Sequence, residues 1–269
     1  MVNRSFLSRG LAAAAIVFGF MATTPAEASD DYGLLEHGVV KCAFAGAYAP
    51  FTMQNAEGNW DGLAVRVFTE MLNRLDLKYE PVITKWETLL VGLFADKYDI
   101  LCGTMDITKE RQERVLFVDG WLESGGRLIV SKDSDIKTID QFKGHTMGVL
   151  VSSTWAELAK PLEPSETKYY QSESDAMRDL TNNKIDGVIT DSIAAAWAIE
   201  HTGLSLRIVP GYLSRIQKGW AAKQDHVALV KALNEQFAAI VADGTYAKLT
   251  SELVGYSPHP EKPIRSLDD

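Results

Sequence analysis

Residues 63–105 decide the fold, and they read LAVRVFTEMLNRLDLKYEPVITKWETLLVGLFADKYDILCGTM. Apolar residues recur there with the 3.6-residue period of an amphipathic helix, with Leu63, Val67 and Met71 on one stripe. Residues 78–84 come shortly after this predicted helix and have a pattern typical of a strand. The stretch therefore begins with a predicted helix and a predicted strand.

A second helix and a further strand complete the same stretch. Thr84 and Glu87 have the spacing of a capping box, which predicts a helix that runs through residue 94. Residues 98–105 predict a strand, and so do residues 38–45 before the stretch. This β-α-β-α-β order implies a parallel sheet with helices on both faces.

The same alternation begins again after residue 119. We predict strands at 127–131, 146–152, 185–191, 206–209 and 220–223, and helices at 172–180, 192–200, 227–241 and 245–253. Thr154 and Glu157 make a second capping box, and we expect the tail after residue 256 to be loose. The chain is thus predicted to form two α/β lobes, with the default ligand site in the cleft between them.

The first 28 residues have the pattern of a secretory signal peptide. Arg4 and Arg9 precede an apolar stretch at 11–22, and an A-x-A cleavage pattern ends at Ala28. This stretch is well short of the roughly 20 apolar residues that span a membrane, although an uncleaved anchor is the alternative. We expect export of the chain and cleavage after Ala28.

Composition and charge exclude several classes of protein. The chain has 269 residues, 46% hydrophobic and 23% charged, which is typical of a folded globular protein. Its net charge of −9, without a run of Lys or Arg, argues against nucleic-acid binding. The sequence contains no nucleophile elbow, P-loop, dinucleotide fingerprint or metal-binding spacing, so we predict neither a cofactor nor a metal. Cys42 and Cys102 form either one disulfide or two buried apolar positions.

Residues 103–111, GTMDITKER, carry the first candidate binding group. A predicted strand ends here, Thr108 can cap a short helix, and Arg111 lies in the first turn of that helix. A cation in that turn opposes the helix dipole, which favours a bound anion at Arg111. The alternative is a surface arginine paired with Glu110 or Glu113.

Polar and aromatic residues next to other predicted strands supply further candidates. Ser153 and Thr154 lie between a strand and a helix, where free amides and hydroxyls favour either anion binding or simple capping. Asp191 ends a strand just before a helix, so it can hold an ammonium group or cap the helix. Tyr48 and Trp86 can each stack on a ligand or pack in the core.

Taken together, these features resemble the bacterial extracellular solute-binding proteins of family 3, the polar-amino-acid receptors of ABC importers. The matching segments are 48–51 (YAPF), 58–65, 86–93 (WETLLVGL), 97–99, 105–111 (MDITKER), 115–117, 148–154, 186–191 and 242–246. Each segment is weak evidence alone, but their number and order make the set specific.

The resemblance implies a two-lobed α/β fold of the type II periplasmic-binding-protein class, each lobe a mostly parallel sheet flanked by helices. One lobe would comprise residues 29–127 with 220–269, and the other residues 128–219. The resemblance also implies a monomeric periplasmic receptor, not an enzyme. Such a receptor closes on an amino acid or similar small zwitterion and delivers it to an ABC permease in the inner membrane.

The resemblance also implies roles for individual residues. Arg111 would hold the carboxylate of the ligand, and the turn at Ser153 and Thr154 would assist it. Asp191 would hold the α-ammonium group. Only a closed cleft satisfies both ends, because Arg111 belongs to the first predicted lobe and the other three residues to the second.

The side chain of the ligand would lie between aromatic residues at Tyr48 and Trp86. Thr104 and Asp106 depart from the family pattern and are further candidates for ligand contact. Thr104 stands where relatives have Gly or Ser, and Asp106 stands where some relatives place a ligand-binding Thr. Many relatives carry Asp where this chain has Ala45, which argues against a lysine- or arginine-type ligand.

Two alternative functions share the fold. An enzyme similar to the periplasmic cyclohexadienyl dehydratases would need a carboxylate as general acid in the cleft, and Glu123 or Asp106 could serve. A binder of quaternary-ammonium or ectoine-type solutes would need an aromatic cage, for which Tyr48, Trp86 and Trp155 are candidates.

Overall fold

The computed structural model describes Met1 and residues 32–267 of the chain. Apart from Met1, the predicted signal peptide at residues 1–28 lies outside the described residues, so its cleavage after Ala28 stays a prediction. Within the described part of the chain, no helix has both the length and the apolar character needed to cross a membrane.

Strands and helices alternate along the described chain. The strands are β1 (Val39–Phe44), β2 (Met53–Gln54), β3 (Trp60–Asp61), β4 (Lys78–Ile83), β5 (Ile100–Asp106), β6 (Leu116–Phe117), β7 (Leu122–Ser124), β8 (Gly126–Ser131), β9 (Thr146–Leu150), β10 (Glu166–Tyr170), β11 (Gly187–Asp191), β12 (Leu206–Ile208) and β13 (Ile216–Ala222). The helices are α1 (Leu63–Arg74), α2 (Leu89–Phe94), α3 (Lys109–Gln112), α4 (Thr154–Ala159), α5 (Glu173–Thr181), α6 (Ser192–His201), α7 (Val227–Ala242) and α8 (Thr245–Val254).

Two sheets form the centres of the two predicted lobes. The first has the strand order β4-β1-β5-β13-β6, with β7 also paired to β13. The second has the order β10-β9-β11-β8-β12. In the first sheet β1 runs parallel to β4 and β5, and in the second β9 runs parallel to β10 and β11. The two-lobed α/β prediction is therefore confirmed.

Antiparallel strands lie where the chain passes from one sheet to the other. The chain leaves the first sheet between β7 and β8 and returns between β12 and β13. Strand β8 is antiparallel to β11, and β13 is antiparallel to β5. Strand β13 begins at Ile216, before the predicted start of the returning segment at residue 220. These two crossings connect the lobes, and the exact lobe boundaries stay a prediction.

Helix α1 packs as its sequence period predicts. Leu63, Val67 and Met71 are all fully buried, so the predicted stripe is confirmed. Gly62 precedes the helix with a φ of 118°, and a Cβ at this position would collide with the carbonyl oxygen of Phe51. Glycine is needed there because L side chains rarely adopt this backbone conformation and the neighbouring chain is too close.

The two predicted capping boxes are wrong. Thr84 bonds through its hydroxyl to the hydroxyl of Thr88 at 2.9 Å, a short 3₁₀ turn occupies Trp86–Thr88, and α2 begins only after it. The second box is displaced by one residue, because Ser153 and not Thr154 accepts the capping bond from an amide of α4. In both cases the motif lies near the start of a helix, but a different residue or turn provides the hydrogen-bond partners for the first backbone amides of that helix.

The tail after residue 256 is not loose, contrary to the sequence-based expectation. Its backbone carbonyl at Pro258 accepts a hydrogen bond from the amide of Glu123 at 2.9 Å, and its carbonyl at Ile264 accepts one from Gly120 at 2.9 Å. The Gln217 side chain also donates to the carbonyl of Lys262 at 2.9 Å. The tail is held because it pairs with polar groups of the first lobe that would otherwise face solvent.

Cys42 and Cys102 lie side by side on the neighbouring parallel strands β1 and β5. Their Cα atoms are 5.6 Å apart, which is within the usual range for a disulfide, and the structure joins them in one. Both residues are also buried. Of the two alternatives left open by the sequence, the structure therefore favours the disulfide.

Candidate functional site

A cavity of about 60 Å³ lies between the two sheets and has walls from both. Six of the eight predicted site residues line it: Tyr48, Trp86, Thr104, Asp106, Ser153 and Thr154. Trp155, Glu173 and Lys218 also line it. Arg111 lies instead in an adjoining groove of about 870 Å³, which shares Asp106, Ser153 and Thr154 with the cavity. The carboxylate of Asp191 is fully buried and does not line the cavity, but it lies 3.2 Å from the ammonium group of Lys218, which does.

The two aromatic candidates reach across from the first lobe to the second. Tyr48 follows β1, and its hydroxyl bonds to the hydroxyl of Thr190 at 3.0 Å and accepts from the amide of Asp191 at 3.4 Å. Enclosure of that hydroxyl, with nearby carboxylates, raises the pKa of Tyr48 well above its ordinary value. Trp86 donates from its indole Nε1 to the carbonyl of Ser152 at 3.1 Å. Both side chains therefore stabilise a closed arrangement of the lobes.

Arg111 is a half-buried cation at the edge of the cavity. Thr108 caps α3 by accepting a hydrogen bond from the Arg111 amide at 3.2 Å, as predicted. The guanidinium donates to the carbonyl of Asp106 at 3.0 Å and lies 5.5 Å from the ring centre of Trp86. Burial lowers the pKa of Arg111, although Asp106 and Glu110 oppose that effect. No carboxylate within residues 32–267 forms an ion pair with this guanidinium, so it can accept an anionic ligand.

The two hydroxyl groups of the turn before α4 have different roles, one within the second lobe and one across the cleft. Ser153 donates to the carbonyl of Leu150 at 2.6 Å and accepts from the amide of Ala156 at 3.4 Å, so its hydroxyl is used within its own lobe. Thr154 donates its hydroxyl across the cleft to the carboxylate of Asp106. Of the two, Thr154 is the one that joins the lobes.

Asp191 has several partners for its carboxylate. One oxygen accepts from the amide of Ile193 at 2.8 Å, which caps α6. The other accepts from the hydroxyl of Ser124 and lies 3.2 Å from the ammonium group of Lys218. Capping and cation binding were alternatives for Asp191, and its carboxylate does both, although the cation is a side chain of the protein.

Lys218 is a buried cation that sequence reasoning missed. Strand β13 places it directly opposite Asp106 of β5 in the antiparallel register, and the two side chains form an ion pair. Its ammonium group also lies 4.7 Å from the ring centre of Trp155. Burial disfavours the charge, but Asp106 and Asp191 outweigh it and hold the pKa of Lys218 above its ordinary value. No local pattern in the sequence pointed to it, because the predicted strand began at residue 220 and the observed strand begins at Ile216.

Glu173 is a second functional candidate that the sequence did not reveal. It is the first residue of α5, is 8% exposed, and lines the cavity. Burial raises the pKa of Glu173 to about 7, Lys218 opposes the shift, and Asp191 and Asp106 add to it. In the described part of the chain, no other side chain is hydrogen-bonded or ion-paired to its carboxylate. It is therefore a buried acid with acceptor capacity that faces the cavity.

The geometry bears on the two alternative functions. Glu123, a candidate general acid, has an exposed side chain on β7 and does not line the cavity. Two rings of the proposed aromatic cage already face protein cations, because Trp155 faces Lys218 and Trp86 faces Arg111. In the described residues no group of three or more His, Cys, Asp or Glu side chains is arranged to hold a metal ion.

Two α/β lobes that meet around a charged, aromatic-lined cavity define a two-lobed solute-binding protein. The chain belongs to the bacterial extracellular solute-binding proteins, family 3, whose family model matches residues 40–255. The resemblance found in the sequence is therefore confirmed.

Individual relatives agree with this assignment. The L-cystine-binding protein TcyJ of Escherichia coli K12 is 27% identical over 253 residues, which cover 91% of this chain and 94% of that protein. The histidine-binding periplasmic protein of the same organism is 29% identical over 221 residues, which cover 76% of this chain and 83% of that protein. A crystal structure of a mutant of ArgBP from T. maritima matches with a TM-score of 0.75 at 26% identity, and the match covers 81% of this chain and 96% of that one. These relatives are named as binding proteins.

Proposed function

We propose that this protein is the periplasmic receptor of an ABC importer and that it captures an amino acid or a similar small zwitterion. The observation that carries the proposal is a small cavity, walled by both lobes, with buried carboxylates in its wall. At its edge lies a guanidinium that forms an ion pair with no carboxylate of residues 32–267. A zwitterion matches this separation of charges. The names of the relatives, which bind cystine and histidine, support the same ligand class.

In this proposal the carboxylate of the ligand binds at Arg111, and the turn at Ser153 and Thr154 assists it. A bidentate arginine–carboxylate pair is much stronger in a dry cleft than in water. The ammonium group binds at the acidic side of the cavity, where Asp106 and Glu173 line the wall and the enclosed Asp191 pairs with Lys218. Thr104 lines the wall beside these groups.

Closure of the two lobes completes the site. Trp86 and Tyr48 bond from the first lobe to backbone or hydroxyl groups of the second. Thr154 of the second lobe donates to Asp106 of the first. Lys218 of the first lobe pairs with Asp191 of the second. A ligand held at both ends favours this closed arrangement, since an open cleft offers it only one set of partners. The closed shape is what a permease would recognise.

The proposal includes the location and the organisation of the mature chain. It is periplasmic after cleavage behind Ala28, it acts as a monomer, and its lobes comprise residues 29–127 with 220–269 and residues 128–219. We propose binding without catalysis, in line with the names of the relatives. Incubation with prephenate or arogenate tests this point, and formation of an aromatic product would contradict it.

A thermal-shift screen tests the function directly. The mature protein is heated with each common L-amino acid and, separately, with glycine betaine and ectoine. A ligand at 1,000 times its Kd adds about 4 kcal/mol of stability, so a specific amino acid should raise the melting temperature by several degrees. Stabilisation by betaine or ectoine alone would instead favour the quaternary-ammonium alternative, and no response to any amino acid would overturn the proposal.

A further inference from the structure

We infer that Glu173 receives the positively charged nitrogen of the ligand, whereas Asp191 and Asp106 hold Lys218 in place. The inference rests on the proposed function and names the acidic group within the same cavity. It follows from which carboxylates in the cavity wall are already satisfied and which one is not.

The carboxylate of Asp191 already has both oxygens engaged and a positive partner within the protein. Ile193 and Ser124 donate to its two oxygens, and Lys218 supplies its positive partner. The side chain is fully enclosed and does not line the cavity. A ligand ammonium could bind there only by displacing Lys218, and the buried lysine would then lose one of its two carboxylate partners, which is costly.

Asp106 lines the cavity, but both of its carboxylate oxygens are also engaged. One pairs with Lys218, its direct neighbour across the sheet, and the other accepts from the hydroxyl of Thr154. The single positive charge of Lys218 thus lies between two acids. Asp106 and Asp191 together with Lys218 carry one net negative charge, which favours a cation nearby.

Glu173 is the acid that remains. Its side chain lines the cavity, is almost completely enclosed, and pairs with no other side chain in the described chain. A carboxylate in that position can accept a charged hydrogen bond from a ligand nitrogen inside the cavity. Because an isolated buried carboxylate is unfavourable, the charged form of Glu173 is stabilised when such a cation enters.

This arrangement makes binding depend on pH. The groups facing Glu173 are Lys218 of β13, Asp191 of β11, Asp106 of β5 and the hydroxyl of Tyr48. Burial raises the pKa of Glu173 to about 7, so the free acid must lose a proton before it pairs with a cation. Affinity should therefore rise as the pH increases towards about 7 and level off above it, on the order of 100-fold in all between pH 5 and 8.

The test is isothermal titration calorimetry at pH 5, 6, 7 and 8. The probes are the L-amino acids that stabilise the wild type in the screen, histidine excluded because its ring titrates in this range. Each is paired with its analogue lacking the α-amine, such as 4-carbamoylbutanoate for L-glutamine. The variants are Glu173→Gln, Asp191→Asn and, as a matched control, Glu235→Gln, which changes an exposed acid on α7.

We expect the wild type and Glu235→Gln to show the pH-dependent rise for the amino acid. Glu173→Gln should bind the amino acid at least tenfold more weakly at pH 8 and with a flat pH profile, and should still bind the analogue without the amine, which shows that the cleft is intact. Asp191→Asn should retain the pH profile. An unchanged profile in Glu173→Gln, or loss of the profile only in Asp191→Asn, would overturn the inference but leave the receptor function standing. Failure of the wild type to bind any amino acid would instead overturn the function itself.

Discussion

Replacing Lys218 by methionine removes the ammonium group that lies between the carboxylates of Asp106 and Asp191. Methionine keeps most of the apolar stem and fills a similar volume, so the main change is electrostatic. The lysine side chain is 2% exposed, and the two acids are 4% and 0% exposed. Water therefore cannot compensate the carboxylates after the substitution.

The expected loss follows from this burial. Removing one partner of a buried ion pair costs about 3–5 kcal/mol in free energy of unfolding, because it leaves a buried charge without compensation. Lys160 provides a matched control, since its ion pair with Glu157 lies on the surface with exposed fractions of 67% and 70%. Lys160→Met should cost less than about 1 kcal/mol.

Urea unfolding of the ligand-free protein at pH 7 measures both variants, provided that the slope against urea concentration stays unchanged. Lys218→Met should show a clearly lower midpoint than wild type, and Lys160→Met a midpoint close to it. Adding Asp191→Asn to Lys218→Met should recover part of the loss, because it removes one of the uncompensated charges. Equal losses in the two single lysine variants would refute the reasoning.

Three further predictions concern the ligand, the disulfide and pH. Arg111→Ala should weaken binding of the amino acid about 100-fold in calorimetry, because it removes a charged partner worth on the order of 3 kcal/mol. Arg178→Ala removes an exposed arginine of α5 that lines neither the cavity nor the groove, so it should change the affinity little. Equal affinities of the two variants would refute the carboxylate site. The bond between Cys42 and Cys102 closes a loop with a sequence separation of 60, so its reduction should lower the free energy of unfolding by about 4 kcal/mol. An unfolding midpoint that dithiothreitol leaves unchanged would contradict this. Because Glu173 keeps its proton to higher pH when folded, stability should fall by about 3 kcal/mol as pH rises from 4.5 to 7, and Glu173→Gln should abolish that slope in urea unfolding measured across this range.

Local patterns in the sequence were sufficient for the fold and for part of the site. The 3.6-residue period of Leu63, Val67 and Met71 predicted the buried face of α1, and Thr108 predicted the cap that positions Arg111. Asp191 was predicted to hold a ligand ammonium from its place at the end of a strand, and that role stays a prediction. These features depend on residues a few positions apart, so a sequence carries them directly.

Lys218 and Glu173 could not be found in the same way. A lysine in a strand usually faces solvent, and its partner Asp106 lies 112 positions earlier in the chain, so only the register of β13 with β5 reveals the pair. Glu173 resembles any acidic residue in the first turn of a helix, which stabilises the helix dipole. Its burial follows from how α5 packs against the cavity, and no local motif encodes that packing.

Small-angle X-ray scattering of the mature wild-type protein tests the central claim most directly. The protein is measured alone and with a saturating concentration of the L-amino acid that stabilises it most. We predict that the ligand lowers the radius of gyration and that the scattering curve with ligand matches the one calculated from this closed arrangement of the lobes. Identical curves with and without an amino acid that calorimetry proves to be bound would contradict closure around a small zwitterion.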